Sequence, residues 1–339
     1  MESVNDHPFR ARVAIIGGSG LYRLPGADRV AEIETPYGPA SAPISLIGGR
    51  RPGDHGPDGP AVAFLPRHGS GHSVAPRQVN YRANLWALKS LGVEAVFATA
   101  ACGSLVPELA PGSFVLPDQF IDRTWGRADT FFDGTGPGAA AGVQHLSAAD
   151  PYCPGLRDVL ASALADARIP YAASGTMAVI NGPRFSTRAE SRALAQTGAE
   201  LVGMTQYPEA VLAAELGMGY AALAFVTDSD AGASAGEAVT AEAVWERLAG
   251  ASLVFERVLL AAARLVPEGY APRKLLPDEA VARLMAAAAA SPDPGLLATG
   301  RPAATGGVAA GMVPTPPAAS VPAAPAPAAP APGRVAVRR

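Results

Sequence analysis

Two carboxylates one residue apart, Asp228 and Asp230, close the apolar run from Tyr220 to Thr227. A buried strand would deliver both to its rim, where a carboxylate can hydrogen-bond a polar ring or hold a proton for a leaving group. The same pattern also suits a cap on a following helix. Other polar or small residues stand at the ends of apolar runs. Ser19 lies in Gly17-Gly-Ser-Gly20 after Arg12 to Ile16, Arg67 and His68 follow Ala61 to Leu65, and Thr205 follows Glu200 to Gly203. Glycines let backbone amides approach an anion, and an arginine fork matches phosphate oxygens. Ser19, Arg67, His68, the Ala100-Ala101 backbone and Thr205 are therefore donors suited to an oxyanion. Phe185, Ser186, Met204, Asp228 and Asp230 suit a polar aromatic ring with an apolar neighbour. Each has a plainer reading when taken singly: a glycine turn, a surface arginine with a structural histidine, a hydrophobic staple beside a solvated serine. The glycine spacing fits neither the dinucleotide fingerprint nor a Walker loop.

The elements that must position these residues alternate. Strands are expected over Arg12 to Ile16, Ala61 to Leu65, Ala95 to Ala100, Ser113 to Leu116, Thr176 to Ile180, Glu200 to Gly203 and the run before Asp228, with strands and turns between Thr35 and Leu46. Helices are expected over Arg77 to Leu91 and Pro154 to Ala167, after the capping box Thr187/Glu190, from Pro208 to Leu216, and from Thr240 to Leu265. Ala101 to Leu105 reads as a small-residue turn, and Cys102 within it as a small buried hydrophobe. The result is an α/β domain with its site along one edge of the sheet.

Composition narrows the partners. The chain has 339 residues and a formal net charge of -3, so no basic field invites nucleic acid or an anionic membrane. No uninterrupted apolar span is long enough to cross a bilayer, the start of the chain has no apolar signal core, and the two cysteines lack metal-ligand spacing. We expect a cytoplasmic protein without metal. From about Ser291 the Pro/Ala/Gly repetition cannot bury enough apolar surface to offset the cost of ordering. The expected organisation is a flexible start (1–10), a main domain (11–275), a short helical extension (276–290) and a disordered tail (291–339), with an exposed loop from Arg50 to Pro60.

Several motifs, in register from about Arg12 to Leu265, resemble the 5'-methylthioadenosine phosphorylases of the trimeric purine nucleoside phosphorylase family. They are Ala14-Ile-Ile-Gly-Gly-Ser-Gly-Leu21, Arg67-His-Gly69, Asn80-Tyr-Arg-Ala-Asn-Leu-Trp-Ala-Leu88, Ala101-Cys-Gly-Ser104, Asp118-Gln-Phe-Ile-Asp-Arg-Thr124, Phe131-Phe-Asp-Gly134, Gly182-Pro-Arg-Phe-Ser-Thr-Arg-Ala-Glu190, Met204-Thr205 with Pro208-Glu209, and Thr227-Asp-Ser-Asp230. The resemblance implies a single domain with a central mixed twisted β-sheet flanked by helices, a homotrimer, and no cofactor, inorganic phosphate being a co-substrate. It implies attack of phosphate on the anomeric carbon of the nucleoside, with release of adenine and formation of 5-methylthioribose 1-phosphate.

By matching positions, Ser19, Arg67, His68, the Ala101 amide and Thr205 would hold phosphate. Phe185 and Ser186 would border the base, Met204 would pack under the sugar, and Asp228 with Asp230 would read adenine. Ala241, near Val244 and Trp245, replaces a histidine that serves a 5'-hydroxyl and suits a methylthio group; His145 matches a position reaching the 5' end in a neighbouring subunit. A bond breaking toward an oxocarbenium ion leaves negative charge on the purine, which makes Asp228 the candidate proton donor at N7, its pKa raised by burial. Three departures bear on selectivity: Ala100 in place of a threonine, Gln206 at a variable position, and Ser229 where an aromatic is common. The rivals are a 5'-methylthioinosine or broader purine nucleoside phosphorylase, a water-using nucleosidase, and a non-catalytic nucleoside-binding protein.

Overall fold

Two long strands, each buried on both faces, carry the architecture. In a computed structural model, which describes residues 10–48, 61–230 and 239–290, the apolar run before Asp228 is the strand β11 (Gly219–Ser229). It pairs in parallel along its length with β5 (Ala95–Ser104). Side chains alternate across a strand. Tyr220 and Ala222 of β11 join one apolar cluster, while Ala221, Leu223 and Phe225 join another. Burial on both sides is why the sequence shows a continuous apolar run instead of alternation.

The remaining strands are β1 (Val13–Gly17), β2 (Ala27–Ala31), β3 (Ile44–Ile47), β4 (Val62–Pro66), β6 (Phe114–Val115), β7 (Gln119–Arg123), β8 (Tyr171–Ala172), β9 (Thr176–Ile180) and β10 (Leu201–Gly203). All eleven belong to one mixed sheet whose main path runs β2-β3-β4-β1-β5-β10-β9-β7, with β11, β6 and β8 branching from β5. The same edge of β5 serves two partners. β1 takes Ala95 to Ala98 in parallel, and β10 takes Gly103 and Ser104 antiparallel. Among the described pairings this leaves Thr99 to Cys102 open on that edge, and the sheet parts there.

Helices cover both faces. The helices α1 (Tyr81–Ser90) and α5 (Gln206–Glu215) pack together and place Leu85, Leu88, Leu212 and Ala213 in the first cluster. On the other face α3 (Pro154–Asp166) and α6 (Ala241–Leu265) supply Leu156, Leu160, Phe255 and Leu259. Each such fully buried side chain stabilises the fold by roughly 1.5–3 kcal/mol. Three further helices are α2 (Gly136–Ala141), α4 (Arg188–Gln196) and α7 (Asp278–Ala290). Within the expected extension 276–290, Asp278–Ala290 form α7, which packs on α2 and sends Ala280 and Leu284 into the first cluster. No helix among the described residues is long and apolar enough to cross a membrane.

Local expectations are met where a specific residue makes a specific bond. Thr187 and Glu190 form a reciprocal capping box at the start of α4. The Thr240 hydroxyl accepts from the Ala243 amide at the start of α6. Tyr207 is extended (φ -110, ψ 131), so the regular part of α5 begins at Pro208 as expected. Other boundaries move. The expected helix from Arg77 divides into a 3-10 turn over Pro76–Gln78 and α1, because Asn80 caps α1 by accepting from the Ala83 amide. Ala101 to Ser104, expected as a turn, continue β5, since pairing with β11 and β10 supplies what their low strand propensity lacks. β2 and β7 had no counterpart in the sequence reading because their polar or exposed residues hide the alternation. The expected Arg50 to Pro60 loop, the segment 231–238, the tail and all but Arg10 of the flexible start lie outside the described residues.

Candidate active site

The parting of the sheet opens a cleft of about 340 Å³. Its walls come from the turn after β1, the end of β4, the open edge of β5, the turn after β9, the end of β10, the rim of β11 and the start of α6. Ser19, Arg67, His68, Ala101 and Thr205 line it, and so do Phe185, Ser186, Met204, Asp228, Asp230, Ala241 and Val244. His145 does not: it is exposed on the segment after α2, outside the cleft of its own chain.

The oxyanion side is built around a buried arginine. Arg67 is 1% exposed, and its Nε and Nη2 each donate at 2.6 Å to a different oxygen of Glu209. Its Nη1 donates to the Thr99 carbonyl at 2.9 Å, and the Tyr220 hydroxyl donates to Glu209 at 2.8 Å. Burial works against the guanidinium charge, but the Glu209 carboxylate more than offsets it and raises the Arg67 pKa. The glycine turn closes against this group. The Gly18 amide donates to the Thr99 hydroxyl at 2.6 Å, and a Cβ on Gly18 would lie 2.7 Å from Arg67 Nη1. Here glycine is required by close approach, which leaves Ser19 at the mouth of the turn. Thr205 stands at the N-cap of α5, where its side chain makes no cap bond, and it lines the cleft. Burial, and then the Arg67 charge, lower the His68 pKa to about 3, and the ring is neutral at physiological pH.

The opposite side is set by an irregularity in β11. Its register with β5 shifts between Val226 and Asp228, so Thr227 is the extra residue of a bulge. Alternation would otherwise carry Asp228 onto the core face of Ala224 and Val226; the bulge turns it to the cleft. The Thr227 hydroxyl lies 2.7 Å from Asp228 Oδ2 and 3.1 Å from the Cys102 carbonyl, which anchors one carboxylate oxygen. The other, Oδ1, lies over Gly103, where an added Cβ would approach it to 2.9 Å. Burial raises the Asp228 pKa to about 6, helped by the Asp230 charge and opposed by the Thr227 hydrogen bond and Arg247. Asp230 is 2% exposed, and its amide donates to the Ser104 carbonyl at 2.9 Å. Ser186 presents a buried hydroxyl with no hydrogen-bond partner among the described residues. Burial pushes the Cys102 thiol well up, and it packs as a hydrophobe.

Gly103 gives a direct check of this geometry. Gly103→Ala should push Asp228 Oδ1 and the Asp230 Cβ aside, since the new methyl would meet them at 2.9 and 3.2 Å. A misplacement of about 1 Å at a reacting group costs roughly 10²-fold in rate. We expect any reaction that uses the Asp228 carboxyl to slow by about that factor, read as kcat/KM in steady-state kinetics.

The cleft therefore offers oxyanion donors on one side and a carboxyl poised near neutrality on the other. The model of the phosphorylase superfamily matches residues 12–264. The chain belongs to that superfamily. The phosphorylase is 55% identical over 230 residues to S-methyl-5'-thioadenosine phosphorylase of Mycolicibacterium smegmatis, covering 68% of this chain and 81% of the relative. It is 44% identical over 259 residues to 6-oxopurine nucleoside phosphorylase of Pyrococcus furiosus, covering 76% of this chain and 94% of that one. Among solved structures it is similar to methylthioadenosine phosphorylase of Schistosoma mansoni in complex with adenine, with a TM-score of 0.69 and 36% identity, over 83% of this chain and 99% of the other.

Sequence reasoning missed several residues of this phosphorylase's cleft. His72 lines it, 4.7 Å from the His68 ring and 4.9 Å from Trp245 between ring centroids, with Nδ1 3.2 Å from the Tyr22 hydroxyl. The signal was present: a second histidine four residues after His68, with Gly69 and Gly71 in the left-handed region between them. Glu209 falls in the Pro208-Glu209 motif, but the motif assigns it no role, since its partner Arg67 lies 142 residues away. Thr227 and Gly103 act through the bulge, which sequence does not reveal. Among the described residues no group of three or more His, Cys, Asp or Glu is placed to hold a metal ion.

Proposed function

We propose that this phosphorylase cleaves 5'-methylthioadenosine with inorganic phosphate, giving adenine and 5-methylthioribose 1-phosphate, with no cofactor. The observation that carries the reading is the Asp228 carboxyl, turned into the cleft by a bulge and raised to about 6 by burial. A group near neutrality can hold a proton for a departing purine, whose charge develops at N7 as the glycosidic bond breaks. Asp230 supports it, Phe185 and Ser186 border the ring, and Met204 packs under the sugar. Ser19, Arg67, His68, the Ala101 amide and Thr205 hold the phosphate that stabilises the cationic sugar from below. Ala241 and Val244 offer no partner to a 5'-hydroxyl and take a methylthio group instead. The S-methyl-5'-thioadenosine phosphorylase of M. smegmatis is similar over most of its length, and the S. mansoni structure holds adenine. We place the catalytic domain over 11–275, in a cytoplasmic homotrimer in which the exposed His145 loop serves a neighbouring subunit's cleft.

The similarity to 6-oxopurine nucleoside phosphorylase favours one rival, since a protonated Asp228 can also donate to a purine carbonyl. A panel of methylthioadenosine, methylthioinosine, adenosine and inosine, assayed with and without phosphate, separates the readings. We expect methylthioadenosine to give the highest kcat/KM by at least tenfold, with turnover requiring phosphate. Preference for the inosines overturns the assignment of Asp228, and undiminished turnover without phosphate overturns the oxyanion site.

A further inference from the structure

Among the described residues the His68 ring makes a single hydrogen bond, in which Nδ1 lies 2.9 Å from the Val74 carbonyl oxygen. A carbonyl oxygen can only accept, so Nδ1 carries the proton of that bond. A neutral imidazole has one N–H, and burial together with the Arg67 charge keeps this ring neutral. Nε2 is therefore a bare lone pair. His68 lines the cleft, and the ring edge away from the Val74 bond is the one that bears Nε2. The oxyanion position thus combines donors from Ser19, Ala101, Thr205 and the remaining N–H groups of Arg67 with one fixed acceptor.

Charge does not override that acceptor. Among the described residues Arg67 is the one Lys or Arg side chain in the cleft wall, and three of its five N–H groups are already engaged, two by Glu209 and one by the Thr99 carbonyl. An anion entering here is held by hydrogen bonds in a buried setting more than by net charge. There a lone pair facing a lone pair leaves both unsatisfied, and the expected penalty is roughly 10- to 100-fold in affinity.

We infer that the phosphate site, on the reading that it binds phosphate at all, selects tetrahedral oxyanions that carry a proton, with His68 Nε2 accepting the hydrogen bond from the anion's own hydroxyl. Hydrogenphosphate and hydrogenarsenate meet the requirement. Sulfate and fluorophosphate, dianions of similar shape, have no proton to give. The balance of the reaction is consistent with this role. One unprotonated phosphate oxygen bonds to the anomeric carbon, the bond to purine N9 breaks with its electron pair going to the purine, and the purine takes its proton from Asp228. The hydroxyl on phosphate keeps its proton throughout and leaves in the monoanionic sugar phosphate.

The test is competition at pH 8 with phosphate near its KM. In the natural protein, arsenate should replace phosphate in turnover, while the Ki of sulfate and of fluorophosphate should exceed the phosphate KM by at least tenfold. His68→Gln places an amide that can donate at this position, and the ratio of sulfate Ki to phosphate KM should fall at least tenfold. Sulfate competing as well as phosphate binds in the natural protein, or a ratio unmoved in H68Q, overturns the inference. Nitrogen-15 NMR reads the tautomer without turnover. The imidazole resonances lost in H68Q should show a protonated Nδ1 and a bare Nε2, and a protonated Nε2 overturns the inference even if H68Q is inactive. Failure of the phosphorylase reading is a different result: no turnover with phosphate or arsenate.

Discussion

Asp228→Asn should lower kcat/KM for methylthioadenosine by roughly 10²- to 10⁴-fold, the usual worth of a general acid. The amide keeps the shape and the Thr227 contact but holds no transferable proton. In the natural protein kcat/KM should fall as pH rises through about 6, where the free Asp228 loses its proton, and D228N should lack this limb. A purine seated over the carboxyl removes further water, so the limb in kcat should lie higher than that in kcat/KM. Stability should move the other way. The folded pKa, about 6, lies above the ordinary aspartate value of 3.8, so the folded state holds a proton that the unfolded chain has released. That contribution to stability is full below about 3.8 and is lost as pH rises through 6. At pH 8 the natural protein keeps an ionised carboxylate buried, and D228N should melt at a higher temperature there, with the gap closing toward pH 4. Thermal melts across this range check the sign; a D228N enzyme with natural activity and no pH-dependent gain removes Asp228 from the reaction.

The parts of this site that were legible in the sequence were those whose chemistry is local. Glycine where a backbone must approach, as at Gly18, and a capping box, as at Thr187 and Glu190, are decided within a few residues. Strand ends could be located because apolar runs stop abruptly, and stops at Arg67, Thr205 and Asp228 fell into one cleft. What was hidden depends on partners far along the chain. The residues Ala101 to Ser104 looked like a turn since Ala, Cys, Gly and Ser have little intrinsic preference for strands, and only β11 and β10 make them one. The bulge at Thr227 exists as an offset between two strands, so no property of β11 alone discloses it. Arg67 was legible as an anion donor, whereas the fact that Nε and Nη2 are already engaged was not.

That engagement predicts the largest effect on stability. Glu209 and Arg67 are both essentially excluded from solvent, 142 residues apart in sequence, and joined through two bonds of 2.6 Å. Breaking one partner of such a pair leaves an uncompensated buried charge, at a cost of about 3–5 kcal/mol. Glu209→Gln sets an amide N–H against one guanidinium N–H and removes the charge that raises the Arg67 pKa, so we expect Tm to fall by roughly 6–20 °C in a domain of this size. Tyr220→Phe removes only the 2.8 Å bond to the same carboxylate and should cost about 1.5–3 kcal/mol. The two changes share a partner, so their effects should not add. Phosphate supplies the sign that distinguishes a positioning role from packing alone. With Glu209 neutralised, the stranded guanidinium gains more from a bound anion than the paired one does, and saturating phosphate should raise the Tm of E209Q by more degrees than that of the natural protein. Turnover should fall nonetheless, because Arg67 is no longer held by Glu209 against Thr99 and the glycine turn. An E209Q protein with the natural Tm, or one whose added stability in phosphate is no greater than normal, would show that this fork does not hold the arginine in place.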